Sequence, residues 1–217
     1  MSEDRAVRRG WTRGPVAGSP RRRFVLAVTA CIFGLLAAAP VQAQNAAAPV
    51  ERLHDALLAA AAEGNTAEAR YDHLLPVVSD VFDFQAMSRA AVGRVWSDFS
   101  DAERAALIDR FAAYATANYA KRFTTAGSIS FRTVGVEAGE GKRVHVATEL
   151  VRSEQSPISF DYLVFRGAEG PHIINVVVAQ TMNEFARRRA EFRSLLEVGG
   201  LAHLLDTLER QKRALVG

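Results

Sequence analysis

Residues 171–180 read PHIINVVVAQ, and every position from Ile173 to Ala179 is apolar except Asn175. An antiparallel strand that shows one face to water usually alternates apolar and polar residues. This stretch does not alternate. It therefore predicts a strand with an apolar layer against each face, and the fold depends on what forms those two layers.

Three segments before this one repeat with period two, which is typical of strands. They are SISFRTVGV (128–136), KRVHVATELVR (142–152) and ISFDYLVFR (158–166). The joints between the segments carry turn residues, namely Gly139-Glu140-Gly141, Ser156-Pro157 and Gly167 to Pro171. The pattern predicts a meander of four antiparallel strands.

Helical periodicity surrounds the strands on both sides. Thr66, Asp83 and Ser100 are predicted helix starts, and Ser100 with Glu103 has the spacing of a capping box. Pro76 is expected to kink or divide the second helix. After the strands, a stripe at three-to-four spacing runs until Gly199-Gly200 and contains Met182, Phe185, Arg189, Phe192 and Leu196.

This order of elements predicts an α+β fold, with helices packed on a curved four-stranded antiparallel sheet that encloses an apolar cavity. Strand positions expected to line the cavity are Val144, Val146, Leu150, Ile158, Phe160, Tyr162, Val164, Ile174, Val176 and Val178.

The N-terminus has the layout of a secretory signal. An arginine cluster at 21–23 precedes an apolar run from Phe24 to Ala39, and small residues end at Ala43. We expect cleavage after Ala43, a flexible lead-in at 44–50, a single domain at 51–217, and a periplasmic location. A membrane anchor, lipidation at Cys31 and twin-arginine export remain alternatives.

Removing the leader changes the charge of the chain. Residues 1–43 hold seven arginines and two acids, so the mature chain keeps 20 basic and 22 acidic residues. The mature chain therefore lacks the net positive charge that would favour nucleic acid as a partner. The single cysteine, Cys31, also leaves, so the mature protein is expected to have neither a disulfide nor a thiol nucleophile.

Motifs for chemistry are scarce. The five histidines lack zinc-site spacing, and the common hydrolase, phosphate-loop and dinucleotide motifs do not occur. His145 and Asp161 could form an acid–base pair on the sheet, but their alternation predicts that both face away from the apolar layer. We therefore expect no catalytic residue, no metal and no cofactor.

An apolar ligand is the remaining possibility. The aromatic and aliphatic candidates for its site could equally be ordinary core. Arg189 could cover the core with its stem, pair with a carboxylate, or meet a lipid phosphate at the cavity mouth. The full candidate set is Trp96, Phe111, Tyr114, Phe131, Val146, Phe160, Tyr162, Val176 and Arg189.

The order of motifs resembles the MlaC / toluene-tolerance family of periplasmic lipid-binding components of ABC transport systems. The resemblance covers roughly residues 50–212, and NEFARRRAEF (183–192) is closest to the hopanoid-biosynthesis-associated HpnM branch. Its signals include Phe82-Asp83-Phe84, Gly93 with Trp96, Tyr119, and the run from Arg187 to Leu204. The chain departs from the family pattern in its last strand, where Pro171-His172 replace a Trp and Asn175 replaces an Asp.

The resemblance implies a nuclear-transport-factor-like cone with extra helices and a cavity for acyl chains. It also implies a carrier that shuttles phospholipid or a hopanoid-related lipid between membrane-bound transport proteins of the inner and possibly the outer membrane. Two alternatives stay open. One is a small hydrolase or isomerase in the same cavity, which predicts titratable groups inside it. The other is a structural periplasmic protein with a filled core.

Overall fold

The computed structural model describes residues 41–64, 66–124, 129–153 and 155–217, with side chains from residue 45 onward. Residues 1–40 of the predicted leader, including Cys31, lie outside the described residues. The elements are α1 (Val41–Glu63), α2 (Ala67–Val81), α3 (Phe84–Val92), a 3₁₀ helix (Gly93–Asp98), α4 (Asp101–Arg122), β1 (Ile129–Ala138), β2 (Arg143–Arg152), β3 (Gln155–Gly167), β4 (Gly170–Val178), β5 (Met182–Asn183) and α5 (Glu184–Val216).

The helix starts follow the capping residues in the sequence. The side chains of Thr66 and Asp83 each accept a hydrogen bond from the backbone N–H three residues later. Ser100 and Glu103 form the complete capping box. Pro76, expected to kink or divide α2, lies inside that helix without dividing it. It is exposed, so water can reach the carbonyl that loses its hydrogen bond.

The first helix begins earlier than expected. Residues 44–50, expected to be a flexible lead-in, belong to α1, and Ala46, Ala47 and Val50 are buried in the core. Small side chains lose almost no rotamer entropy when they are buried, so this segment can be ordered by packing alone.

The sheet is an antiparallel meander in the order β1-β2-β3-β4-β5, which confirms the α+β prediction but with five strands instead of four. The fifth strand is a two-residue segment joined to β4 by a tight turn. In that turn Ala179 and Gln180 have φ of 52° and 58°, and the N–H of Thr181 donates to the carbonyl of Val178. Two residues carry no periodicity, and Ala-Gln is an unusual sequence for such a turn. The sequence pattern therefore did not reveal β5.

A bulge in β4 decides which of its residues face inward. Leu163 pairs with Asn175, but the next residue of β3, Val164, pairs with Ile173, so Ile174 has no partner. Because of the extra residue, the inward positions have even numbers after the bulge, as at Val176 and Val178, and an odd number before it, at Ile173. Ile173 is consequently buried and Ile174 is not, which corrects the expectation that Ile174 lines the cavity.

Helix α1 lies across the inner face of the sheet and contacts all four long strands. α2 packs against both α1 and α4, and α4 packs against α5. The link between α2 and α3 docks on β4, where the N–H of Asp83 donates to the carbonyl of Ile173 at 3.0 Å. Among the described residues, none of the helices combines the length and the apolar character that crossing a membrane requires.

Candidate functional site: an apolar cavity between sheet and helices

A cavity of about 430 Å³ lies between the inner face of the sheet and α3, α4 and the start of α5. This volume falls within the range of about 300–1,000 Å³ that is common for small-molecule sites. Most of its wall is apolar. The apolar lining consists of Phe82, Phe84, Met87, Phe111, Ala115, Phe123, Ile129, Leu150, Ile158, Phe160, Val176, Val178 and Phe185.

One face of α4 runs along the length of the cavity. Its lining residues are Phe111, Ala115, Asn118, Tyr119 and Arg122, at the spacing that keeps side chains on one helix face. Arg122 is eleven positions after Phe111, which corresponds to about 16 Å along the helix axis. Phe111 is 2% exposed, whereas the side chain of Arg122 is 54% exposed. The cavity therefore has a deep aromatic end and an open end, here called the mouth.

Charged side chains gather at the mouth, where α4 ends and α5 begins. Arg122, Arg152 and Glu184 line it, and the guanidinium of Arg122 lies 3.8 Å from the carboxylate of Glu184. The N–H of the Arg152 Nη2 donates to the carbonyl of Ser156 at 3.3 Å. The mouth is thus polar and largely cationic, in contrast to the deep end.

Arg188 is a second guanidinium of the lining, one helical turn beyond Glu184, and it is 7% exposed. It donates to the carboxylate of Glu191 at 2.6 Å and stacks over the ring of Tyr114 at 4.4 Å. An ion pair combined with a cation–π contact compensates the burial of its charge.

The neighbouring core contains buried titratable groups. His54 stacks on Phe131 with 3.8 Å between ring centres, and its Nε2 is hydrogen-bonded to the hydroxyl of Tyr162 at 3.0 Å. Burial lowers the pKa of His54 to about 4, so the imidazole is neutral at neutral pH. Burial also raises the pKa of Tyr162 well above its ordinary value. Neither group is charged near neutral pH.

Tyr119 in the cavity wall behaves in the same way. Burial raises the pKa of its hydroxyl, and the Glu184 carboxylate raises it further. The cavity therefore presents neutral side chains along its length and charge only around Arg188 and at the mouth.

Comparison with known proteins supports the lipid-carrier resemblance at the level of family. The family model described as MlaC protein matches residues 49–210, which is most of the chain. This chain belongs to the MlaC protein family. Among solved structures, it is similar to a phospholipid-binding protein from Ralstonia solanacearum in complex with a phospholipid. The identity is 18%, the TM-score is 0.67, and the match covers 80% of this chain and 99% of that chain. No curated protein sequence matches the chain.

Of the nine candidate residues, three line the cavity of this MlaC-family chain: Phe111, Phe160 and Val176. Phe131 lies behind the wall, in contact with Phe123 and Phe160 on one side and His54 on the other. Val146 and Tyr162 pair across β2 and β3 and are fully buried in the core. Their strand positions do face inward, but at the part of the sheet that belongs to the core and not to the cavity.

The other three candidates lie away from the lining. Trp96 is on the 3₁₀ helix, with the guanidinium of Arg104 over its ring at 5.6 Å. Tyr114 is buried beneath Arg188. Arg189, the candidate, is exposed on α5, whereas the adjacent Arg188 is buried.

The start of α5 explains why Arg189 was predicted on the inward stripe although Arg188 is the buried arginine. Asn183 caps that helix, so Met182 belongs to β5 and is 46% exposed. Counting the helical stripe from Met182 therefore sets the wrong phase. Counting from Phe185 to Phe192 leaves positions 188 and 189 equally close to the stripe, and packing over the Tyr114 ring buries Arg188.

Several lining residues were missed at the level of sequence. The stripe from Phe111 to Arg122 could have been found, because its spacing is helical and lies within one predicted helix. Phe82 and Phe84 could not, because the docking of the α2–α3 link on β4 places them there. Arg152 could also have been found, because it stands two residues after Leu150 on the same face of β2.

The possible catalytic pair is outside the cavity. His145 is exposed and Asp161 half-buried, and both alternate with inward-facing residues of β2 and β3. Within the described part of the chain, no group of three His, Cys, Asp or Glu residues could hold a metal ion.

Proposed function

We propose that this chain is a periplasmic lipid carrier that holds acyl chains in the cavity and passes the lipid between membrane-bound partners. The observation that carries the proposal is the cavity itself, which has an aromatic deep end and an arginine-rich mouth about 16 Å away. An amphiphile with an apolar tail and an anionic head matches that division of the wall.

Burial of the tail supplies the driving force. Each CH₂ group removed from water contributes about 0.8 kcal/mol, so a long chain binds without specific polar contacts. The wall of Phe, Ile, Leu, Val and Met side chains suits such a ligand. Membership of the MlaC protein family and the fold shared with a protein described as phospholipid-binding support the same function.

Enzymatic catalysis in the cavity is less well supported. Histidine is absent from the described lining, and its single carboxyl group, Glu184, is engaged by Arg187 at 2.5 Å and lies near Arg122 and Arg188. A carboxylate held by guanidinium groups is a poor general base. We therefore infer a binding protein and not a hydrolase or isomerase.

The finer features of the proposal rest on the sequence. The predicted signal at 1–43 supports export to the periplasm, and the mature chain is expected to begin at Gln44, which N-terminal sequencing of the exported protein would test. NEFARRRAEF (183–192) supports a hopanoid-related lipid as cargo beside phospholipid. Shuttling between transport proteins of the inner and possibly the outer membrane follows the role of the family.

The decisive experiment is detergent-free purification of the exported protein, followed by solvent extraction and mass spectrometry of the lipids. We expect near-stoichiometric phospholipid or hopanoid-related lipid. A folded protein that carries none, and that takes up none from vesicles, would contradict the carrier function.

A further inference from the structure

The mouth of the cavity carries more positive than negative charge among the described residues. Arg122 and Arg152 line it together with Glu184. Glu184 also binds Arg187, which is outside the lining. Arg188, deeper in the cavity, is paired with Glu191. Among the described residues, three guanidinium groups thus accompany one carboxylate at the mouth, and the pair of Arg188 and Glu191 adds no net charge.

Arg152 is the guanidinium that is least well satisfied. Its Nε is buried and has no hydrogen-bond partner among the described residues, although its Nη2 donates to Ser156. A buried donor without a partner is unfavourable by about 1–3 kcal/mol, and more when the group is charged. An anionic oxygen bound at this position would remove that penalty.

Arg152 lies next to the apolar wall of the cavity. Arg152 stands two residues after Leu150 on the inward face of β2, and Leu150 pairs with Ile158 of β3. Both of these aliphatic residues line the cavity. A phosphate at Arg152 would therefore stand at the end of the apolar path, where the phosphate of a glycerolipid follows its acyl chains.

We propose that the mouth selects lipids whose phosphodiester head group has a net negative charge over lipids with a zwitterionic head group. This inference rests on the proposed carrier function and adds the charge class of the cargo. Guanidinium and phosphate form paired charge-assisted hydrogen bonds. The ammonium of a zwitterionic head would enter the same cationic region, where its charge is repelled.

The test is a competition between two lipids that differ only in the head group. Delipidated mature protein is incubated with vesicles made of equal parts phosphatidylglycerol and phosphatidylcholine with identical acyl chains. The protein is then re-isolated, and its lipids are quantified by mass spectrometry. Because both lipids share one vesicle surface, electrostatic attraction of the protein to the membrane does not affect the ratio.

We expect phosphatidylglycerol to be enriched about three- to tenfold in the bound lipid. Arg152→Gln should bring the ratio in the bound lipid towards one. Arg143→Gln is the matched control, because Arg143 is an exposed arginine at the opposite end of the same strand and is not part of the cavity lining. It removes the same charge and should leave the ratio unchanged.

The outcomes separate this inference from the carrier function. Full loading with equal amounts of the two lipids, or with excess phosphatidylcholine, would overturn head-group selection and leave the carrier function intact. Absence of both lipids would contradict the carrier function itself. Equal ratios for Arg152→Gln and the unsubstituted protein would refute the role of Arg152. A third arm of the experiment adds soluble glycerophosphoglycerol, which has the head group but no acyl chains. If it binds, the mouth is a general phosphate site and is not selective for lipid head groups.

Discussion

At the scale of single residues, the buried His54 is the clearest link between structure and pH. It is 5% exposed, and the ring partners that contact it, Phe131 and Tyr162, carry no charge. Its pKa falls from 6.5 to about 4 on folding. The unfolded chain therefore binds a proton at higher pH than the native protein does, and acid favours unfolding.

We expect the free energy of unfolding to be undiminished by this group above pH 6.5 and to fall as the pH drops towards about 4. The full loss is about 3 kcal/mol. Urea denaturation at neutral pH and near pH 4 would measure it. His54→Gln keeps a hydrogen-bonding group beside Tyr162 and should reduce this pH dependence. An identical pH dependence in the variant would contradict the assignment.

Val176 allows a direct test of the cavity. It is an inward residue of β4 that lines the cavity, whereas the adjacent Val177 points to the other face of the sheet. Val176→Trp should fill part of the cavity and lower the lipid bound per protein by about half or more. Val177→Trp, with the same change in volume, should retain the lipid. Equal lipid content in two folded variants would place the ligand elsewhere.

At the scale of elements, β4 and α5 show which features the sequence pattern could predict and which it could not. The strand and the break at Gly199-Gly200 follow local rules and were correctly predicted, whereas the helix start at Asn183 was not. Local sequence patterns did not determine which face of each element points to the cavity. In β4 the bulge at Ile174 changed it, and in α5 the helix start after Met182 changed it.

The break in α5 depends on the backbone of Gly200. Its φ of 66° and ψ of −164° lie in a region that is almost restricted to glycine. Gly200→Ala should therefore lower the free energy of unfolding by about 1–3 kcal/mol in urea denaturation. Gly135→Ala is the control, because an added Cβ there meets nothing within 4 Å and φ is not positive. If both variants unfold at the same urea concentration, the break does not require glycine.

At the scale of the whole molecule, the apolar cavity connects cargo to stability. A ligand that binds only the folded state stabilises it by about 2.7 kcal/mol when its free concentration is 100 times the dissociation constant. Loaded protein should consequently melt several degrees above delipidated protein. The measurement is thermal unfolding of both forms, with Val176→Trp as the variant that should show a smaller difference. The same melting temperature for loaded and delipidated protein would mean that the lipid does not occupy a site formed by folding.

The sequence by itself determined the α+β class, the helix caps, the four long strands and the family, since caps, turns and periodicity are local patterns. Tertiary structure alone decided that Phe82 and Phe84 reach the cavity and that Val146 and Tyr162 belong to the core. The inner face of the sheet is shared between α1 and the cavity, and this division depends on strand register and helix docking. Both are contacts between residues far apart in the chain, so no local pattern encodes them.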